Sequence, residues 1–189
     1  MLSQERDQEL FTLWLFVSEG EIGRYRIAKM LDVSQGVARG LLARMKREGL
    51  ITVHHSGAGV SKKGINVFTR LMTQNHLRHV ERLDEHVLGL GQEGVVFQVE
   101  ERSEKIGRGI EQRDAAVRAG ATGTVTFVFD GRSLVFPGTR EPLKKRSPMA
   151  FDCLKSRLEM RRGDAVLISF SNSWWEAARG GFAAVKTLS

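Results

Sequence analysis

The sequence predicts an α+β protein with two domains. Residues 1–74 have the pattern of a winged helix-turn-helix, in which helices are followed by a short hairpin. Glycines at positions 89, 91 and 94 indicate a boundary after a helical linker at residues 75–93. Residues 94–189 alternate β-branched and aromatic runs with helical patterns, which predicts a two-layer α/β sandwich with an antiparallel sheet.

The first two helices are predicted from the spacing of apolar residues. Ser3 to Ser18 carries bulky apolar residues at helical intervals, and Gly20 ends this helix. A second, short helix is expected from Tyr25 to Leu31, followed by the turn Asp32-Val33. Ala28 is small enough for two helices to approach closely, as a helix-turn-helix requires.

The third helix begins after that turn. Ser34 can cap it, because a serine hydroxyl can accept a hydrogen bond from a backbone N–H group two or three residues later. Gly49 provides the left-handed residue at which helices commonly stop. The predicted apolar face of this helix comprises Val37, Leu41, Leu42 and Met45.

A hairpin and a closing helix follow. Two glycines between His54 and Val60 allow the chain to reverse, which predicts a short wing. Ser61 is the expected cap of a fourth helix. Over residues 5–73 this layout resembles that of prokaryotic winged-helix transcription regulators. The predicted buried stripe of the fourth helix comprises Ile65, Phe68, Leu71 and Met72.

The resemblance implies that the third helix reads double-stranded DNA. Such a helix enters the major groove by its N-terminal half, where Arg can bond guanine and Gln can bond adenine. A winged helix used for protein contacts is the alternative interpretation. The candidate base-contacting residues are Ser34, Gln35, Gly36 and Arg39. The candidate phosphate contacts are Arg24, Arg26, His55, Lys62 and Lys63.

The charge distribution favours a polyanionic partner. The net charge is +7 and the pI is about 10.0. Residues 1–72 contain 11 Lys/Arg and 7 Asp/Glu, and residues 140–162 contain 8 and 3, whereas residues 73–139 contain 8 and 10. Two basic regions therefore flank a mildly acidic one. Basic side chains that only solvate the surface would give the same pattern.

The C-terminal half is expected to alternate strands and helices. Asp130-Gly131 is a strong signal for a tight hairpin between two of the strands. The predicted strands cover residues 95–99, 124–129, 133–136, 165–170 and 182–188, and the predicted helices cover 106–119, 148–160 and 174–179, with a basic loop at 139–147.

Two stretches of this half carry a second resemblance. Gln112 to Gly123 and Leu134 to Gly138 resemble the corresponding segments of an uncharacterised archaeal family. Its members join an N-terminal winged helix to a C-terminal domain with a DCoH-like fold. That domain is related to the GAD domain inserted in some tRNA-charging enzymes. The resemblance implies two domains and a fold class, and it implies no ligand.

Few residues point to other chemistry. Arg113 and Asp114, near a predicted helix start, are possible ligand-binding residues, although an ion pair or a helix-dipole interaction would use them equally well. Gly107-Arg108-Gly109 lacks the Lys-Ser/Thr ending of a phosphate-binding loop. His76, His79 and His86 could share one helix face, but without cysteine partners they do not predict a metal site. The sequence therefore predicts no enzyme, no cofactor and no metal.

The combined expectation is a cytoplasmic, DNA-binding transcription regulator. A single cysteine, Cys153, fits a reducing compartment, and no apolar run is long enough to span a membrane. The C-terminal domain would form a homodimer, sense a small-molecule effector, or do both. One alternative is an RNA-associated module, motivated by the GAD-like resemblance and by Lys144-Lys145-Arg146. Another is a small-molecule enzyme fused to a winged helix.

Overall fold

The structure, a computed structural model, describes residues 2–83, 89 and 93–189, and it confirms the α+β class. The chain divides into two compact units, Met1–Gln74 and Asn75–Ser189. The elements of the N-terminal unit are α1 (Leu2–Glu19), α2 (Arg24–Leu31), α3 (Gln35–Arg47), β1 (Ile51–Val53), β2 (Ala58–Val60) and α4 (Lys62–Gln74).

Helix α1 is the centre of the N-terminal unit. Every residue from Leu10 to Phe16 is buried, so this part of the helix is covered on all sides. A helix that is apolar all round is stable only when it is enclosed, and α2, β2 and α4 supply the enclosure. Thr12 satisfies its buried hydroxyl within the helix, by donating to the carbonyl oxygen of Gln8 at 2.6 Å.

The predicted turn between the second and third helices is confirmed. Asp32 adopts the left-handed conformation with φ 56°, and it ends α2. The N–H of Val33 donates to the carbonyl oxygen of Ala28 at 3.1 Å, which closes the turn. Helix α3 then begins at Gln35, with Ser34 as its N-cap.

The predicted hairpin is also confirmed. Strands β1 and β2 pair in antiparallel fashion, from Ile51 opposite Val60 to Val53 opposite Ala58. Strand β2 is also tied to the segment before α2, because Ile22 and Ala58 exchange two backbone hydrogen bonds of 2.8 and 3.0 Å. The hairpin is therefore held from both sides.

The beginning of α4 is attached to the end of α3. Ser61 accepts a bond from the N–H of Gly64 at 2.9 Å, and its hydroxyl donates to the carbonyl oxygen of Gly49 at 2.6 Å. The N–H of Ser61 donates to the carbonyl oxygen of Leu50 at 3.0 Å. Gly64 is buried so close to Leu50 that an added Cβ would lie 2.0 Å from that carbonyl oxygen.

The C-terminal unit is built on a five-stranded antiparallel sheet. The strand order is β3-β4-β7-β5-β6. The strands are β3 (Leu77–Leu83), β4 (Glu93–Val99), β5 (Gly123–Phe129), β6 (Leu134–Val135) and β7 (Ala165–Ser171), and the helices are α5 (Ile110–Arg118), α6 (Leu143–Arg146), α7 (Pro148–Arg157) and α8 (Trp174–Lys186).

Helices cover both faces of this sheet, where the sequence predicted helices on one side. Phe97 meets Phe182 of α8 edge to face, with ring centroids 5.1 Å apart. The next residue along β4, Val96, faces the opposite way and shares a core with Phe151 and Leu154 of α7. One face of an antiparallel sheet is often exposed to solvent. Almost every residue of β4 and β7 is buried, so this sheet needs a layer of helices on each face.

Three predicted elements are wrong. The basic loop expected at 139–147 contains helix α6. Residues 77–83 of the expected helical linker form strand β3, because they pair with β4 along its length. The rest of that linker is largely outside the described residues. The strand expected at 182–188 is instead the second half of α8. Gly181 does not break this helix; it leaves room for the ring of Phe97, which an added Cβ would meet at 1.9 Å.

The described part of the chain contains no helix with both the length and the apolar character needed to cross a bilayer.

Two glycine substitutions should have opposite effects on the N-terminal unit. Gly64→Ala places a methyl group against backbone and should lower the free energy of unfolding by about 1–3 kcal/mol or more. Gly40→Ala, in α3 with open space around its Cβ, should raise it by up to about 1 kcal/mol through helix propensity.

Amide hydrogen exchange of α3 and α4 peptides in the full chain, followed by mass spectrometry, measures both effects. Equal protection in Gly64→Ala and in the unsubstituted chain would contradict the tight junction between α3 and α4.

Candidate functional site

Helix α3 has one buried face and one exposed face. Ala38, Leu41 and Met45 are buried, whereas Val37, predicted to be part of the apolar face, is 51% exposed. At about 100° per residue, Val37 lies about 80° around the helix from Met45, at the edge of the buried face. Ala38 lies on the buried face instead. Its small side chain makes it a weaker indicator of a buried position in the sequence.

The predicted base-contacting residues lie on the exposed first half of α3. Ser34 is committed in part to the helix, because its hydroxyl oxygen accepts a bond from the N–H of Val37 at 3.3 Å. Gln35, Gly36 and Arg39 are exposed. Neither Gln35 nor Arg39 has a side-chain hydrogen bond or ion pair within the part of the chain that the structure describes. Both remain available to a ligand.

The predicted phosphate contacts fall into two groups. Arg24 stacks over the ring of Tyr25 at 5.1 Å, Arg26 pairs with Glu19 at 2.5 Å, and Lys63 donates to the backbone carbonyl of Glu48 at 2.7 Å. These three cations already have a partner in the unit. Lys62 and His55 are exposed and make no side-chain hydrogen bond or ion pair to any described residue.

The exposed face of α3 contains further residues beside the predicted DNA contacts. Gly40 and Ala43 lie beside Gly36 at its centre, Arg47 continues this central line at the C-terminal end, and Lys46 lies to one side. No neighbour lies within 4 Å of a Cβ added at Gly40, so packing within the protein does not require a glycine there. A helical wheel drawn around the buried residues would have identified this face.

The proposed ligand residues of the C-terminal half are not brought together. Asp114 lines a cavity of about 450 Å³ at the start of α5, beside the Gly107–Gly109 loop, but Arg113 does not. Gln112 from the same helix turn is buried and donates to the hydroxyl of Thr187 at 2.7 Å. No described residue forms an ion pair with Arg113 or Asp114, so the alternative interpretation of these two as an ion pair is not supported either.

A second cavity, of about 610 Å³, lies on the other side of that loop. It is lined by the Ser103–Gly107 segment, the ends of β5 and β6, the turn that follows β6, and Arg162. These segments are far apart in the sequence, which is why no local motif indicates the cavity.

The histidines do not form a metal site in the described part of the chain. His79 lies in strand β3 and is 2.9 Å from the carboxylate of Glu81, and His76 precedes the strand and contacts Arg102. They do not share a helix face, contrary to the arrangement considered from the sequence. His86 is outside the described residues. No group of three possible metal ligands was found among the residues that are described.

Asp130 shapes one edge of the larger cavity. Its carboxylate accepts hydrogen bonds from the N–H groups of Ser133 and Arg132, both at 2.8 Å. The bond from Ser133, and then that from Arg132, hold the pKa of Asp130 below its ordinary value, and the nearby guanidinium groups of Arg132 and Arg162 act in the same direction. Asp130 is therefore a charged, internally bonded part of the β5–β6 turn.

The charge of Asp130 should stabilise this turn in a pH-dependent way. Asp130→Asn keeps the oxygen acceptor and removes the charge. Since the folded pKa is depressed, the stability difference between the two chains should be fully present above about pH 4 and should vanish as the pH falls through the folded pKa.

Thermal unfolding of both chains between acidic and neutral pH measures this difference. A difference that stays constant down to the lowest pH would contradict the assignment.

Comparisons with known proteins identify a family and a similar solved structure. Residues 90–188 match the family described as "Domain of unknown function (DUF4443)". The fold is similar to that of "Hypothetical protein PH0730 from Pyrococcus horikoshii OT3", with a TM-score of 0.74 and 22% sequence identity, over 96% of this chain and 91% of that chain. At this identity the likeness extends to the fold alone. No curated protein matches the sequence. These findings support the predicted archaeal-type family.

Proposed function

We propose that this chain, which belongs to the DUF4443 family, binds duplex DNA through helix α3 of its N-terminal unit and regulates transcription. In this proposal the unit is a winged helix-turn-helix, with α2 and α3 as the two helices and β1–β2 as the wing. Helix α3 enters the major groove, which is wide enough to admit one helix.

The shape and charge of the exposed α3 face carry this proposal. Its centre is formed by Gly36, Gly40 and Ala43, which have little or no side chain, so the helix backbone can approach a groove closely. Arg39 and Lys46 border the centre on one side, and Arg47 continues the central line at the C-terminal end of the helix. A low centre lets the helix backbone lie close to the groove, so that the longer side chains beside it can reach base edges or phosphates.

The internal partners of the other cations refine the list of DNA contacts. We assign base contacts to Gln35 and Arg39, whose side chains have no partner among the described residues, and phosphate contacts to Lys62 and His55. Lys63 stabilises the end of α3, where cations bond the last carbonyl groups of a helix. Arg26 uses one N–H group to bond Glu19, which partly neutralises its charge and makes it a weaker phosphate contact.

The C-terminal unit completes the proposed regulator by forming a homodimer, sensing a small molecule, or both. The RNA alternative rested on Lys144, Lys145 and Arg146, which form the single turn of α6. Arg146 pairs with Glu141 at 2.9 Å, Lys145 is 3.9 Å from the same carboxylate, and Lys144 lies over the ring of Phe151. Because all three are engaged within the unit, we favour DNA, and we propose no catalytic role.

Two substitutions in the N-terminal unit should separate base contacts from phosphate contacts. Arg39→Ala should cost about 1–3 kcal/mol on the preferred sequence and relax the preference at one position. Lys62→Ala should weaken binding to all duplexes alike and reduce the slope of log affinity against log salt by about 1. Gel-shift or anisotropy titrations at several salt concentrations measure both effects.

Arg118→Ala, in helix α5 of the other unit, is the matched control and should change neither quantity. The absence of duplex binding by the unsubstituted chain at low ionic strength would overturn the proposal.

Gly40→Ala tests the close approach of α3 to DNA. The added methyl group meets nothing in the protein, so the variant should be at least as stable as the unsubstituted chain while its affinity for DNA falls about tenfold. The stability of the variant and its affinity for DNA are measured on the same preparation. An unchanged affinity would mean that the groove lies against a part of α3 other than Gly40.

A further inference from the structure

The larger of the two cavities lies in the unit to which the proposed function assigns no DNA contact, and it has the features of a ligand site. Its volume, about 610 Å³, falls within the range of about 300–1,000 Å³ usual for small-molecule sites. We propose that this cavity binds a small organic anion that carries an aromatic or similarly bulky apolar group.

The floor of the cavity is apolar and aromatic. Phe136 and Phe129 line it, and both are half-buried. Phe136 is held in place by Phe127, which it meets edge to face with ring centroids 5.0 Å apart, and by the guanidinium of Arg146 at 5.1 Å from its centroid. A ring held on two sides offers a fixed surface against which an apolar group can pack.

The rim supplies two arginines, Arg140 and Arg162. Neither makes a side-chain hydrogen bond or ion pair to any residue that the structure describes, although Arg162 is close enough to Asp130 to act on its carboxylate electrostatically. Asp130 has its strongest bonds with the N–H groups of its own turn. Arg140 is therefore the principal candidate to bind an anionic group, and Arg162 is the second.

The chain around Arg140 keeps this guanidinium available. Its acidic neighbour Glu141 bonds Arg146 at 2.9 Å and is also close to Lys145, so it is committed to α6. The N–H of Arg140 donates to the carbonyl oxygen of Phe136 at 2.9 Å, which ties the arginine to the aromatic floor. Glu104 and Asp130 also line the cavity and disfavour a polyanion, so the preferred ligand carries one carboxylate or one phosphate group.

Four small probes test the ligand class on the full, ¹⁵N-labelled chain by two-dimensional NMR. Phenyl phosphate and phenylacetate combine a ring with an anion, inorganic phosphate lacks the ring, and benzyl alcohol lacks the charge. The two ring-bearing anions should shift the amide signals of residues 103–107 and 136–140 saturably, and their relative affinities distinguish a phosphate ligand from a carboxylate ligand. Inorganic phosphate and benzyl alcohol should bind at least about tenfold more weakly.

Arg140→Gln should weaken phenyl phosphate or phenylacetate binding about tenfold, which is the effect of losing one charged hydrogen bond. Arg161→Gln is the matched control, because its exposed side chain lies next to Arg162 in sequence but outside the cavity lining, and it should bind as the unsubstituted chain does. If Arg140→Gln does not fold, Arg162→Gln carries the same expectation.

Three results would overturn the proposal: no saturable shift by either ring-bearing anion up to about 10 mM, equal binding of benzyl alcohol, or equal losses in Arg140→Gln and Arg161→Gln. Only the role of this site as an effector site rests on the proposed DNA function. None of these measurements involves DNA, so their failure leaves the DNA proposal intact, and a failure to bind DNA leaves the ligand site intact.

Discussion

The junction between α3 and α4 is the contact on which the exposed face of α3 depends. Ser61 bonds the end of α3 through the carbonyl oxygen of Gly49 and bonds the start of α4 through the N–H of Gly64. Gly64 allows the two backbones to meet at Leu50, where any side chain would collide. Since β1 begins immediately after Leu50, the same contact places the hairpin beside α3.

This junction gives α3 a fixed position between two attachments. At its start, the left-handed Asp32 and the Ser34 cap set the angle at which the chain enters the helix. At its end, the N–H groups of Gly49 and Leu50 donate hydrogen bonds to the carbonyl oxygens of Lys46 and Met45. A surface for recognition needs this kind of support, because contacts to a groove hold only if the helix that makes them does not move.

Local chemistry made the N-terminal unit predictable. The caps Ser34 and Ser61, the stop at Gly49 and the turn at Asp32 are all decided by a residue and its near neighbours. The C-terminal errors arose where distant contacts decide. Leu77, Val80 and Leu83 fit a helical spacing, but pairing with β4 makes them a strand. Gly180-Gly181 looks like a break, although α8 continues through it, and Gly181 is there because Phe97 of β4 occupies the space of a side chain.

The candidate site was likewise predictable from the sequence only where near neighbours decide the structure. The exposure of Gln35 and Arg39 follows from helical periodicity, whereas Lys63 and Arg26 bond residues 15 and 7 positions away, which no local pattern indicates. The cavity in the C-terminal unit is assembled from four separate segments, so only the structure shows it.

The central claim is that α3 reads a DNA sequence, and selection of bound fragments from genomic DNA by the full chain tests it most directly. The account predicts enrichment of one recurrent motif, with two half-sites about one helical turn or a multiple of it apart if the chain is a dimer. Recovery of fragments with no shared motif at low salt, or of none at all, would contradict it.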